Sequence, residues 1–188
     1  MNRKAERMES TWMELNLPWT AEFWSSLTPD RLLALNPHWH ITPMPDGGFE
    51  VEDILLRTRF TLRTECVASD SGWTMHAPDM GLTLRAKPMN QGDNTALAYV
   101  CEPAGNGVTI GQMEENLRYW LASLREYYRL YAEDTFKTRF WRFFMNRIML
   151  RMNPTQRRIC AFIMKVTLLE IILILVLIIG FWFYNRMG

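Results

Sequence analysis

The spacing of apolar positions changes along the chain in a definite order, and each change predicts a different element. "TWMELNLP" carries a short alternating run that predicts a strand. In "WTAEFWSSLTPDRLLALNP" the apolar residues Phe23, Trp24, Leu27, Leu32, Leu33 and Leu35 fall at helical intervals. Thr28-Pro29-Asp30 divides that stretch into two short helices, with Thr28 as the cap and Pro29 at the first helical position. After Pro37 the period becomes two: "GGFEVEDILLRT", "RFTLRTECVAS", "GWTMHAP", "GLTLRAKPM" and "NTALAYVCEP" read as strands. Asp46-Gly47-Gly48, Asp70-Ser71-Gly72 and the run from Asn90 to Asn94 are the turns between them. Within "FTLRTEC", Phe60, Leu62, Thr64 and Cys66 share one face, and Thr61, Arg63 and Glu65 the other. "TIGQMEENLRYWLASLREYYRLYAE" returns to a helical period. Ile110, Met113, Leu117, Trp120, Leu121, Leu124, Tyr128 and Tyr131 keep one stripe, and Glu114 and Arg118 pair at four-residue spacing on the polar face. The order is strand, two short helices, antiparallel strands, one long helix. Such an α+β chain buries its apolar faces by curving the sheet around the last helix.

Beyond Asp134 the pattern changes twice more. Up to Arg158, aromatics alternate with cations: Phe136, Phe140, Phe143 or Phe144, Ile148 and Leu150 recur at roughly helical spacing, interrupted by Lys137, Arg139, Arg142, Arg147 and Arg151. This predicts an amphipathic connector lying at the headgroup level, or a helix packed on the domain or on a neighbouring protein. Its candidate membrane or partner contacts are Phe140, Trp141, Arg142, Phe144, Arg147 and Arg151. Asn153-Pro154 ends it.

"VTLLEIILILVLIIGFWFY", Val166 to Tyr184, carries one charge and as a helix would be about 28 Å long, the depth of a bilayer core. From Ile171 it is apolar on every face. Trp182 and Tyr184 supply an interfacial aromatic belt. Glu170 either reaches toward the headgroups beside Lys165 or faces a partner helix carrying a cation or a hydrogen-bond donor. More cations precede the span than follow it, and "MNRKAERMES" lacks the apolar core of a signal peptide; both place the N-terminal part in the cytoplasm. The expected divisions are a polar tail (1–9), a domain (10–132), the connector (133–158), a transmembrane helix (159–185) and a short tail (186–188).

Composition narrows the chemistry. A net charge of +1 gives no global electrostatic case for nucleic acid. Cys66, Cys101 and Cys160 form no CxxC pair, so neither a disulfide framework nor a zinc ribbon is expected, and Cys66 and Cys101 read as packing residues. "NPHWHI" puts His38 and His40 two apart, but a metal would need a third ligand such as His76 or Glu65, and nothing spaces like HExxH. Pro37 instead stops a helix and Trp39 packs inward, leaving both histidines on the opposite side. "PAGNGVTIGQ" is a turn into a helix rather than a phosphate loop. No catalytic set, metal or cofactor is expected.

The element order and the residues at its joints resemble the START-like superfamily, also called SRPBCC, of helix-grip ligand-binding proteins, from about Trp12 to Tyr131. "LNLPWTAEFWSSLTPDRLLALNPHWH" looks like the first strand, the two-helix clamp and the Asn-Pro-x-Trp lead into the second strand. "GFEVED" looks like the second hairpin, and "NLRYWLASLREYYRLY" like the C-terminal helix with Trp-x-x-Ser-Leu. The connector and the apolar segment depart from that family's usual pattern. The resemblance implies a cavity between sheet and long helix, with Phe49, Val51, Phe60, Leu62, Met75, Leu82, Leu84, Leu97, Tyr99, Met113, Leu117, Trp120 and Leu124 as candidates for its lining, unless these fill a solid core. It implies a membrane-tethered domain that binds a lipid, quinone or similar molecule. The alternatives are an accessory subunit of a membrane complex, docking through the span, Glu170 and the connector, and, ranked last, a cyclase-type enzyme.

Overall fold

The β-rich middle of the chain forms two antiparallel sheets in a computed structural model that describes residues 8–10, 12–69, 71–102 and 110–187. The strands are β1 (Met8–Glu9), β2 (Met13–Glu14), β3 (Trp39–Pro43), β4 (Phe49–Asp53), β5 (Thr58–Leu62), β6 (Glu65–Ser69), β7 (Gly72–Ala77), β8 (Leu82–Met89) and β9 (Asn94–Cys101). The larger sheet runs β1-β9-β8-β7-β6, with β2 also on β9, and the smaller runs β3-β4-β5. Helices α1 (Ala21–Ser26) and α2 (Pro29–Ala34) follow β2, and α3 (Ile110–Ala132), α4 (Phe136–Arg147) and α5 (Pro154–Met187) close the chain. Contacts divide it into two compact units, Met1–Arg151 and Met152–Gly188.

Alternation decides which face of the larger sheet is buried. The cross-strand sets Trp73–Ala86–Leu97, Met75–Leu84–Tyr99 and Ala77–Leu82–Cys101 lie on one side and join a single core. Trp39, Val51 and Leu62 bring the smaller sheet into that core, and Leu117, Trp120, Leu124, Tyr127 and Tyr128 bring α3. Polar anchors fix where α3 lies. Trp120 Nε1 donates to the Leu32 carbonyl at 2.7 Å, and the Tyr128 hydroxyl donates to the Pro18 carbonyl while meeting Thr95 Oγ1 at 3.2 Å.

Three local expectations are revised. The first strand is two short pieces, both on β9, because Ser10 takes over the ladder: its N–H reaches the Tyr99 carbonyl and its hydroxyl accepts the Tyr99 N–H. "FTLRTEC" keeps its two faces but breaks into β5 and β6. The Arg63 N–H is drawn to the Asp79 carboxylate at 2.8 Å and its guanidinium to Asp46 at 3.1 Å, so Arg63 joins turns rather than a ladder. The apolar "ILLR" after Asp53 is a turn without glycine or proline. The Asp53 carboxylate accepts the N–H groups of Leu55 (2.8 Å) and Leu56 (3.0 Å), and Arg57 takes a positive φ of 54°. Thr28 precedes α2 with Pro29 in its first turn, as expected, but its side chain makes no capping hydrogen bond.

The second unit is α5 alone. It starts at Pro154, and Asn153 caps it, accepting the Gln156 N–H at 2.8 Å. It is long and apolar enough to cross a membrane, with a mean hydropathy of 2.8 and nothing buried over its most apolar stretch.

Candidate binding cleft

The face of β9 carrying Thr95, Leu97 and Tyr99 is only partly covered by α3. An open cleft of about 690 Å³ lies between β2, β9 and the middle turns of α3, from Glu114 to Arg125. Met13, Leu15, Leu97, Tyr99, Leu121 and Ala122 give it apolar surface, and Glu14, Glu114, Glu115, Arg118 and Arg125 surround that surface with charge. The expected Glu114–Arg118 ion pair is not formed. Among the described residues the ion pair on α3 is Arg129–Glu126 at 2.9 Å, so Arg118 and Arg125 keep free guanidinium groups. Burial raises the Tyr99 phenol pKa, and the neighbouring Glu114 carboxylate adds to that shift. The hydroxyl therefore stays protonated and able to donate at neutral pH.

Of the residues expected to line a cavity, only Leu97 and Tyr99 reach this cleft. Val51, Leu62, Met75, Leu82, Leu84, Leu117, Trp120 and Leu124 pack against one another in the core, with Phe49 and Phe60 half-buried against them. The Met113 side chain lies outside the described residues. Strand alternation cannot tell a core wall from a cavity wall, because both need the same inward apolar side chains. Met13, Leu15, Leu121 and Ala122 were not foreseen, since their place in the cleft follows from how β2 meets α3.

A second feature escaped the sequence reading. Asp53 is fully buried, with no ion-pair partner among the described residues; its carboxylate accepts Trp39 Nε1 at 2.9 Å and Asn116 Nδ2 at 2.5 Å, besides the two turn N–H groups. Asn36 Nδ2 donates to Asn116 Oδ1 at 3.0 Å, and Asn36 Oδ1 accepts the His38 N–H. One carboxylate with four donors thereby ties β3, β4 and α3 together, and Asn116 extends the network to Asn36 in the link between α2 and β3. The available signal was Asn116, a polar residue four before Trp120 on the apolar stripe of α3.

The histidines point elsewhere. The His38 ring meets Tyr119 edge-on at 5.1 Å, His40 is exposed, and His76 Nδ1 lies 3.1 Å from Thr83 Oγ1. Among the described residues no three His, Cys, Asp or Glu side chains gather as a metal site would require.

The connector candidates are dispersed. Phe140 is exposed, whereas Trp141 and Phe144 are half-buried and Arg142 pairs with Asp134 at 2.7 Å. Arg147 and Arg151 are exposed, and Lys165, Glu170, Trp182 and Tyr184 all stand on the open surface of α5. No family model, curated protein or solved structure matches this chain.

Proposed function

We propose that this chain is a membrane-tethered, START-like helix-grip domain that binds a hydrophobic small molecule, such as a lipid or quinone, at the cytoplasmic face of the membrane. In this reading the two sheets are halves of one curved sheet parted at Arg63–Thr64, and α3 is the gripped helix. The observation that carries it is the cleft between β9 and α3. Its volume of about 690 Å³ falls within the range of small-molecule sites, roughly 300–1,000 Å³. Its apolar floor suits a hydrocarbon or ring system, and its charged rim with the Tyr99 hydroxyl suits a polar head. A tether through α5 would hold the cleft near the phase in which such a ligand dissolves.

The test is native mass spectrometry of full-length protein released from detergent. An apolar molecule should co-purify, and Ala122→Trp, which fills the cleft from an exposed position, should abolish its retention without changing the circular dichroism spectrum. Wild-type protein that is repeatedly empty would overturn the assignment.

A second reading, an accessory subunit docking through α5 and the connector, is favoured by the filled core, which leaves no need for a ligand there. Glu170 separates the two. Glu170→Leu should weaken recovery of co-purifying membrane subunits if the carboxylate faces a partner helix, and an unchanged recovery removes that support.

A further inference from the structure

Among the described residues, only one side of helix α4 has a partner. Thr135 caps it: its hydroxyl accepts the Thr138 N–H at 3.2 Å, while Thr138 Oγ1 accepts the Thr135 N–H at 2.9 Å. Asn146 accepts from the Tyr127 hydroxyl at 2.6 Å and donates to the Tyr131 hydroxyl at 2.9 Å, and the Arg142 guanidinium lies 5.3 Å from the centre of the Tyr131 ring. The Asn146 bonds and the Arg142–Tyr131 contact seat α4 on α3. The opposite side carries Phe136, Phe140 and Phe143, which are 88%, 54% and 63% exposed. Their spacing of four and three residues makes a single row, and Arg147 continues it by another turn. Three exposed phenyl side chains along one row form an apolar patch that needs a cover.

We propose that this row lies in the interfacial layer of an anionic bilayer, with the rings below the headgroups and Lys137, Arg147 and Arg151 among the phosphates. Charge favours lipid over a protein groove. Arg139 and Arg142 share the one Asp134 carboxylate, at 2.5 and 2.7 Å, whereas Lys137, Arg147 and Arg151 have no ion-pair partner among the described residues. Uncompensated cations beside an exposed aromatic row are the composition of a helix that lies in a headgroup layer. Chain continuity agrees, because α5 begins only a few residues after α4 ends. The inference rests on α5 crossing the bilayer. It goes beyond the tether by giving the domain a second, salt-sensitive contact with the same membrane and by naming the residues that make it.

The test uses full-length protein in nanodiscs of neutral lipid, or of neutral lipid mixed with phosphatidylserine. A benzophenone amino acid replaces Phe140, Val67 of β6, or Ile174 of α5, one at a time; all three positions are exposed, and circular dichroism checks that each variant is folded. After illumination, lipid adducts at position 140 should exceed those at position 67 several-fold and should rise with phosphatidylserine. Lys137→Glu combined with Arg147→Glu should return them to the neutral-lipid level. Adducts at 174 but not at 140 overturn this inference and leave the span intact, whereas absence at both overturns the span as well. Adducts from 140 to a second protein overturn it in favour of a docking helix.

Discussion

Asp53 shows how much one side chain organises. A buried carboxylate is tolerable only when its lone pairs are filled, and here four donors fill them. Asp53→Asn would keep the shape but present an amide N–H₂ toward Trp39 Nε1 and Asn116 Nδ2, setting donor against donor. The expected cost is about 2–3 kcal/mol, read from the urea midpoint by tryptophan fluorescence. A shift within experimental error would show that the network holds little. The cysteines carry a pH signature. Burial lifts the Cys66 and Cys101 thiols from near 9 to about 11, so both stay protonated at pH 8 and should resist iodoacetamide in the folded protein. Because the fold favours the neutral thiol, the stabilisation is complete below pH 9 and is lost as pH rises toward 11. Alkylation mapped by mass spectrometry, with and without urea, checks the first point, and thermal melts at pH 8 and pH 10 check the second.

Among the elements, α3 holds the first unit together, and two tryptophans of its neighbourhood separate packing from hydrogen bonding. Trp120 Nε1 is bonded to the Leu32 carbonyl, whereas Trp24 Nε1 is buried without a partner among the described residues. Both rings are nearly fully buried, so replacement by Phe removes similar apolar area. Trp120→Phe should therefore cost about 0.5–1.5 kcal/mol more than Trp24→Phe, since it alone removes a buried hydrogen bond, while the Leu32 carbonyl keeps the Leu35 N–H. Equal losses in denaturant unfolding would mean that packing governs both positions. Between β7 and β8, Gly81 has a φ of 62°, and an added Cβ would lie 2.1 Å from the Glu102 carbonyl oxygen. Only glycine meets both demands there. Elements with a long, regular period were legible in the sequence: α3, the strand faces and the apolar helix. Those set by a single tertiary bond were not. The β5–β6 break depends on Asp79 and Asp46 reaching Arg63, and the 54–57 turn depends on a buried carboxylate instead of on turn residues.

At the scale of the whole molecule, the first unit extends to Arg151, and α4 is bound to α3 through Tyr127, Tyr131 and Asn146. A chain ending at Arg151 should fold and give a cooperative melt. One ending at Asp134 uncovers the Tyr127–Tyr131 face and should melt several degrees lower, as about 1 kcal/mol moves a midpoint by roughly 2–8 °C in domains of this size range. Identical melts would show that α4 contributes nothing to the domain. The sequence by itself determined that an α+β domain precedes a helix able to cross a membrane, and which strand positions turn inward. Those facts follow from local periodicity and from the length of an apolar run, which neighbours cannot alter. Tertiary structure decided that the inward residues fill a core, that the open space lies where β2 and β9 part from α3, and that Phe136, Phe140 and Phe143 face outward while Trp141 and Phe144 do not. Each of these depends on which surfaces meet, and a pattern read along one chain records which residues seek cover but not what covers them.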